Sequence, residues 1–161
     1  MLLVAHGANI NHAKLSTGST PLYIAAQEGN SDVVEGLLKH GADPNKVRTD
    51  DGSSPLFIAS YSNHVGCVDL LLANGADFEH TTADDGTTPL FAAAERGNFE
   101  IVKLLVDQGC NIEVKTKDEF EWTPVENPPL ATKNLLEDTD GLRRPRLLRG
   151  ATQSISDLSM R

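Results

Sequence analysis

The side chains that could do chemistry in this chain are carboxylate pairs, scattered histidines, two cysteines and an arginine-rich stretch near the end. The carboxylates come as Asp50-Asp51, Asp84-Asp85 and Asp118-Glu119, each pair 34 residues from the last. Paired carboxylates serve acid–base catalysis when burial drives their pKa values apart, and nothing around these pairs supplies a buried environment. Two readings remain open for them. They form solvated Asp-Gly turns, or they line up as an acidic ridge facing a basic partner, in which case association would be salt-sensitive. The histidines do not cluster: His6 and His40 share a column of the 34-residue period. Helices in neighbouring units sit about 8–10 Å apart, too far to share a metal easily. Cys67 and Cys110 fall in columns otherwise filled by Val33 and Ile101, and by Ala42 and Ala76, so they read as small core residues. No Gly-x-Ser-x-Gly elbow and no phosphate-cradling Gly-x-x-x-x-Gly-Lys-[Ser/Thr] loop occurs. The expectation is a protein with no catalytic residue, no metal and no cofactor.

What positions these groups is a repeat. Gly7, Gly41, Gly75 and Gly109 recur every 34 residues, as do Gly18, Gly52 and Gly86, and Pro21, Pro55 and Pro89. Such self-similarity marks stacked supersecondary units. Each unit reads as two short helices. Thr20, Ser54 and Thr88 stand where a side-chain oxygen caps the first helix, and the following proline fits its first position, where no N–H is needed. Leu22, Ala25 and Ala26 give a narrow apolar face, matched by Leu56, Ala59 and Ser60 and by Leu90, Ala93 and Ala94. Gly29 and Gly97 end the first helix in a left-handed turn, and Asn63 takes that place in the middle unit. Val33, Val34, Leu37 and Leu38 form the buried stripe of a second helix, followed by Cys67, Val68, Leu71 and Leu72, then by Ile101, Val102, Leu105 and Val106.

The text Gly18-Ser19-Thr20-Pro21-Leu22, Ala25-Ala26 to Gly29-Asn30, and Val33-Val34 to Gly41-Ala42-Asp43 resembles the ankyrin-repeat family, and it returns twice more. The resemblance covers residues 1 to about 125. It implies an all-α solenoid of stacked helix-turn-helix units with hairpin fingers. Residues 1–16 are a partial repeat. The stack spans 17–126, as units 17–50, 51–84 and 85–118 and an incomplete unit 119–126. Residues 127–161 leave the pattern after Pro128-Pro129 and read as a largely disordered basic tail.

Three departures from the family text stand out. Tyr23, Phe57 and Phe91 replace the histidine that ties neighbouring units, so packing is expected to replace that tie. The finger carries one extra residue, giving the period of 34. Gly36 occupies a column filled by Leu70 and Leu104, which predicts a loosely packed first full unit and a cost on the order of 3 kcal/mol.

The resemblance implies a protein–protein interaction module, an adaptor, scaffold or targeting segment in signalling, with its contacts on the concave face and fingers. The columns that vary there are Gln27, Glu28, Tyr61, Ser62, Glu95 and Arg96 at the first-helix ends, Ser19, Ser53 and Thr87 before the capped proline, and Arg48, Asp50, Asp51, Asp84 and Asp85 in the fingers. Tyr61 is the expected hot spot, since aromatics and arginine dominate interface energetics.

Charge and composition bound the partners. Hydrophobic residues make up 39% of 161, enough for a packed core. Residues 1–140 hold 9 Lys and Arg against 22 Asp and Glu, a net of −13, while residues 141–161 hold 5 Arg against Asp157, a net of +4. An acidic body lacks the cations that phosphate contacts need, so no nucleic acid is expected. A partner with a basic surface fits it, and the chain's own tail is one such surface, which makes an autoinhibited regulatory segment the alternative reading. No apolar run is long enough to span a membrane. Two lone cysteines suit a reducing compartment, cytoplasmic or nuclear. Arg146 and Arg149 precede Thr152 by six and three residues, which makes Thr152 a candidate phosphosite. Asp43-Pro44-Asn45 resembles the family's asparagine-hydroxylation text, with Pro44 in place of an aliphatic residue. The broken units at both ends predict bare apolar faces, marginal stability and self-association, in a chain that is a fragment or isoform of a longer array or a small protein whose tail covers the bare face.

Overall fold

The computed structural model describes residues 9–113 and 117. Six helices run in sequence: α1 (Pro21–Gln27), α2 (Ser31–Lys39), α3 (Pro55–Tyr61), α4 (Val65–Ala73), α5 (Pro89–Arg96) and α6 (Phe99–Asp107). No strand occurs among the described residues. The readings for residues 1–8, for Asp118-Glu119, for the incomplete unit and for the tail with Thr152 fall outside them.

Each first helix starts as its residues dictate. Thr20, Ser54 and Thr88 accept a hydrogen bond from the N–H of Tyr23, Phe57 and Phe91, each at 3.1 Å. The next residue is proline at all three starts. The helices end in the left-handed turns expected of them, at Gly29 (φ 71°), Asn63 (φ 62°) and Gly97 (φ 72°).

The elements stack in two layers. First helices pack in the order α1, α3, α5, second helices in the order α2, α4, α6, and each unit's own two helices pack together. Leu22, Leu56 and Leu90 of the first helices and Val34, Val68, Val102, Leu71 and Leu105 of the second meet in one core that runs the length of the stack. Cys67 and Cys110 are both buried in it.

Two expectations need correction. Val33 is 49% exposed, whereas Cys67 and Ile101 in the same column are fully buried. The later units cover that column with a preceding second helix, and α2 has none among the described residues. Gly36 sits in a column that is half-buried at Leu70 and Leu104 rather than core, so the leucine it lacks would have kept part of its surface in water. The cost of Gly36 falls accordingly, to about 2 kcal/mol.

Candidate functional site

The loops that join the units form a row of fingers held by backbone bonds. Within a finger, Arg48 N–H bonds Ser53 O and Thr82 N–H bonds Thr87 O, both at 3.0 Å. Between fingers, Thr49 N–H bonds Thr17 O, Ala83 N–H bonds Asp51 O and Lys117 N–H bonds Asp85 O, at 3.1, 2.8 and 2.6 Å. Gly18 permits this approach: at φ 71° a Cβ there would stand 2.6 Å from Thr49 N.

A second set of bonds crosses the units at the far end of the second helices. Asn11 Oδ1 accepts from Asp43 N–H at 2.8 Å, and Asn45 Oδ1 accepts from Asp77 N–H at 2.7 Å. Their amide groups donate to Gly41 O and Gly75 O at 3.4 and 3.0 Å. Glu79 continues the row by accepting from Asn111 N–H at 2.6 Å, but a carboxylate has no N–H to offer Gly109 O.

A third set joins each first helix to the turn of the next unit. His64 Nε2 donates to Gln27 O at 3.0 Å, and Asn98 Nδ2 donates to Ser60 O at 2.7 Å and Tyr61 O at 3.3 Å. These carbonyls lie in the last turn of α1 and α3, where helix geometry leaves them without a partner.

Fixed on this frame is a row of side chains at the first-helix ends. Gln27, Glu28, Tyr61, Glu95 and Arg96 are exposed and Ser62 is half-buried. Arg96 lies over the Tyr61 ring, 4.5 Å from its centroid, so consecutive units share one cation–aromatic platform. A family model for ankyrin repeats matches residues 1–48 and 37–118, with three copies.

The chain belongs to the ankyrin-repeat family. No curated protein matches it. Ankyrin repeats are in general protein–protein interaction modules, typically without enzymatic activity. Among the described residues no three His, Cys, Asp or Glu side chains gather as a metal site, and no helix is long and apolar enough to cross a membrane.

The ankyrin frame divides the residues singled out from the sequence. Ser19, Ser53 and Thr87 are buried, which takes them off the solvent-facing surface. Their hydroxyls work inside the fingers. Ser19 Oγ bonds Thr17 Oγ1 at 2.8 Å, Ser53 Oγ donates to Asp51 Oδ1 at 2.7 Å, and Thr87 Oγ1 donates to Asp85 Oδ1 at 2.8 Å.

The finger carboxylates are only partly free. Asp51 is held by Ser53, and it also pairs with Arg48 at 3.4 Å. Asp50 pairs with Arg48 as well. Desolvation would raise the Asp50 carboxyl, but the hydrogen bond from Arg48, the backbone N–H bonds of Asp51 and Asp50 and the Arg48 charge together outweigh it and hold the group below the usual carboxylate range. Asp85 follows the same logic with neutral donors. Burial pushes it up, and bonds from the Thr82 and Thr87 hydroxyls and the Thr87 N–H pull it below its ordinary value. Asp84 stays exposed. Asp51 and Asp85 thus build the turns, while the Asp50 and Asp84 side chains stay exposed beside them.

Besides the Asn11, Asn45, His64 and Asn98 ties, a polar tie at Tyr23 was not read from the sequence. Tyr23 is 2% exposed, and its hydroxyl lies 3.1 Å from Ser53 Oγ in the next finger. Arg48 closes over the same ring, 5.4 Å from its centroid. Packing replaces the family histidine at Phe57 and Phe91, which carry no polar atom, but at Tyr23 a hydrogen bond between units persists. The hydroxyl that sets Tyr23 apart from Phe57 and Phe91 was the available signal.

Proposed function

We propose that this chain is a non-enzymatic adaptor or scaffold module that holds a protein partner along its first-helix ends and finger tips. The observation that carries the reading is the Arg96–Tyr61 platform, an aromatic ring and a guanidinium stacked on a frame fixed by backbone bonds. Tyr and Arg lose little freedom on binding when they are already placed, which limits the entropic cost of association. Gln27, Glu28 and Glu95 flank the platform as an exposed polar rim, and Asp50 and Asp84 extend it at the finger tips. Those carboxylates favour a partner with a basic surface. The net charge of +4 over residues 141–161 keeps the chain's own tail as the competing occupant, which makes an autoinhibited regulatory segment the second reading. Exposed Ile24 and Val33 on the first full unit support self-association through that face. The two buried free thiols suit the cytoplasm or the nucleus and a signalling role there.

The test is site-directed photo-crosslinking in the full chain. A photoreactive side chain at Ser62 should capture the partner, and one at Lys103, exposed on α6, should not. Equal capture at both positions would sink the reading. Capture of the chain's own tail from Ser62, lost as salt rises, would select the autoinhibited form.

A further inference from the structure

One column at the first-helix ends carries opposite charges at its two ends. Glu28, Ser62 and Arg96 stand 34 residues apart, so one falls to each unit along the stack. Glu28 and Arg96 are exposed, and Ser62 between them is half-buried. Arg96 reaches back over the Tyr61 ring of the middle unit, 4.5 Å from its centroid. Tyr61 ends α3, which has described helices packed on both sides, α1 and α5.

The fold uses neither charged end. The ion pairs of the described residues join Lys39 with Glu35 and Arg48 with Asp50 and Asp51, and neither Glu28 nor Arg96 takes part. Neither side chain makes a hydrogen bond among the described residues, although Glu95 precedes Arg96 and Glu100 follows it by four. A guanidinium held over a ring keeps its N–H fork for an outside acceptor, and that fork matches a carboxylate bidentately. The Glu28 carboxylate only accepts, so it calls for a cation.

We infer that the platform takes a partner segment with a charge order: an Asp or Glu side chain on Arg96 and a Lys or Arg on Glu28. The inference rests on the proposed function and adds to it the direction in which the segment runs along the stack. A uniformly basic segment would set a like charge against Arg96. A uniformly acidic one would set like charges against Glu28, Glu95 and Asp50. Facing like charges suppress such partners. Spacing follows from the frame. Neighbouring first helices stand about 8–10 Å apart, and Arg96 reaches over the middle unit, so the carboxylate it holds lies about one unit from Glu28. In an extended segment, at about 3.3 Å per residue, that is about three residues. Tyr61 holds the guanidinium in place before the segment arrives, which limits the side-chain freedom lost on binding.

The test is selection from a random peptide library on the full chain, with a photoreactive side chain at Ser62 to mark where the recovered peptides lie. Peptides recovered on the parent should crosslink from Ser62. They should share an Asp or Glu about three residues from a Lys or Arg, always in one order. Arg96→Glu should weaken them at least about tenfold. Arg96→Lys, which keeps the charge without the fork, should weaken them by a smaller factor. The double variant Glu28→Arg, Arg96→Glu should recover peptides with the charges in reverse order. Circular dichroism of the variants should match the parent, since both positions are exposed. Peptides that crosslink from Ser62 yet keep their affinity for Arg96→Glu overturn the charge order and leave the proposed function standing. Peptides that bind without crosslinking from Ser62 overturn both, and recovery of no peptide overturns the charge order. Crosslinking from Ser62 to residues 141–161 of the same chain would give the seat to the tail and overturn the assignment to a partner segment.

Discussion

The hydroxyl of Tyr23 stands 3.1 Å from Ser53 Oγ, so a side chain of α1 is tied to the finger of the next unit rather than only packed against it. Ser53 passes the tie on to Asp51 at 2.7 Å, and Arg48 closes the group from above the ring. The buried Tyr23 and Ser53 hydroxyls thus share one hydrogen-bonded chain that ends on Asp51.

Tyr23→Phe should lower stability by about 1 kcal/mol, the usual net worth of a satisfied hydrogen bond. Ser53 keeps its bond to Asp51, so no orphan hydroxyl is left behind. Ser53→Ala in the Tyr23→Phe background should cost less than in the parent. Urea unfolding of the four proteins measures the coupling, and additive losses would refute the tie.

Glu79→Asn should stabilise the stack by about 0.5–1 kcal/mol. Asn45 both accepts from Asp77 N–H and donates to Gly75 O, while Glu79 accepts only. An amide at position 79 restores the donor toward Gly109 O. The urea midpoint should rise with the slope unchanged; a fall would show that the charge of Glu79 outweighs the missing donor.

Gly29→Ala should destabilise by about 1–3 kcal/mol, because it combines φ 71° with a Cβ that would meet His64 Nδ1 at 2.5 Å. In a His64→Ala background the steric part disappears and the left-handed strain remains. Thermal unfolding should therefore show a smaller penalty there. An equal penalty in both backgrounds would mean that His64 does not occupy that space.

Asp85 carries a pH dependence of known sign. Its folded-state pKa lies below the unfolded value of about 3.9, so the carboxylate contributes stability above that value and loses it as pH falls through the folded pKa. Asp85→Asn should cost about 1 kcal/mol at neutral pH, a modest figure because the carboxylate faces solvent. The gap between the parent and the variant should then narrow as pH falls below about 4, the unfolded value. A constant gap from pH 7 to pH 3 would contradict the assignment.

The period of 34 made the helices, caps and left-handed ends legible, because each rests on a local residue choice repeated in register: Thr20 with Pro21, Ser54 with Pro55, Thr88 with Pro89. The core followed from the same columns. Position within the stack was harder to read. Val33 and Cys67 occupy one column, yet one is exposed and the other buried, since α4 packs against a preceding second helix and α2 has none among the described residues. The contact surface was legible only in part for a related reason. Ser19, Ser53 and Thr87 vary as surface residues do, but their short hydroxyls reach fixed partners inside the finger. Tyr61 and Arg96 were each singled out, and their stacking across two units emerges only when α3 and α5 are packed side by side.

The central claim is that a protein partner is held on the platform shared by Tyr61 and Arg96. The most direct test is the affinity of the partner captured from position 62 for the parent chain and for Tyr61→Ala and Arg96→Ala, with thermal unfolding run alongside. The account predicts a loss of at least about 2 kcal/mol in binding for Tyr61→Ala, a smaller loss for Arg96→Ala, and unfolding temperatures close to the parent's. Unchanged affinity in both variants, with the folds intact, would contradict it.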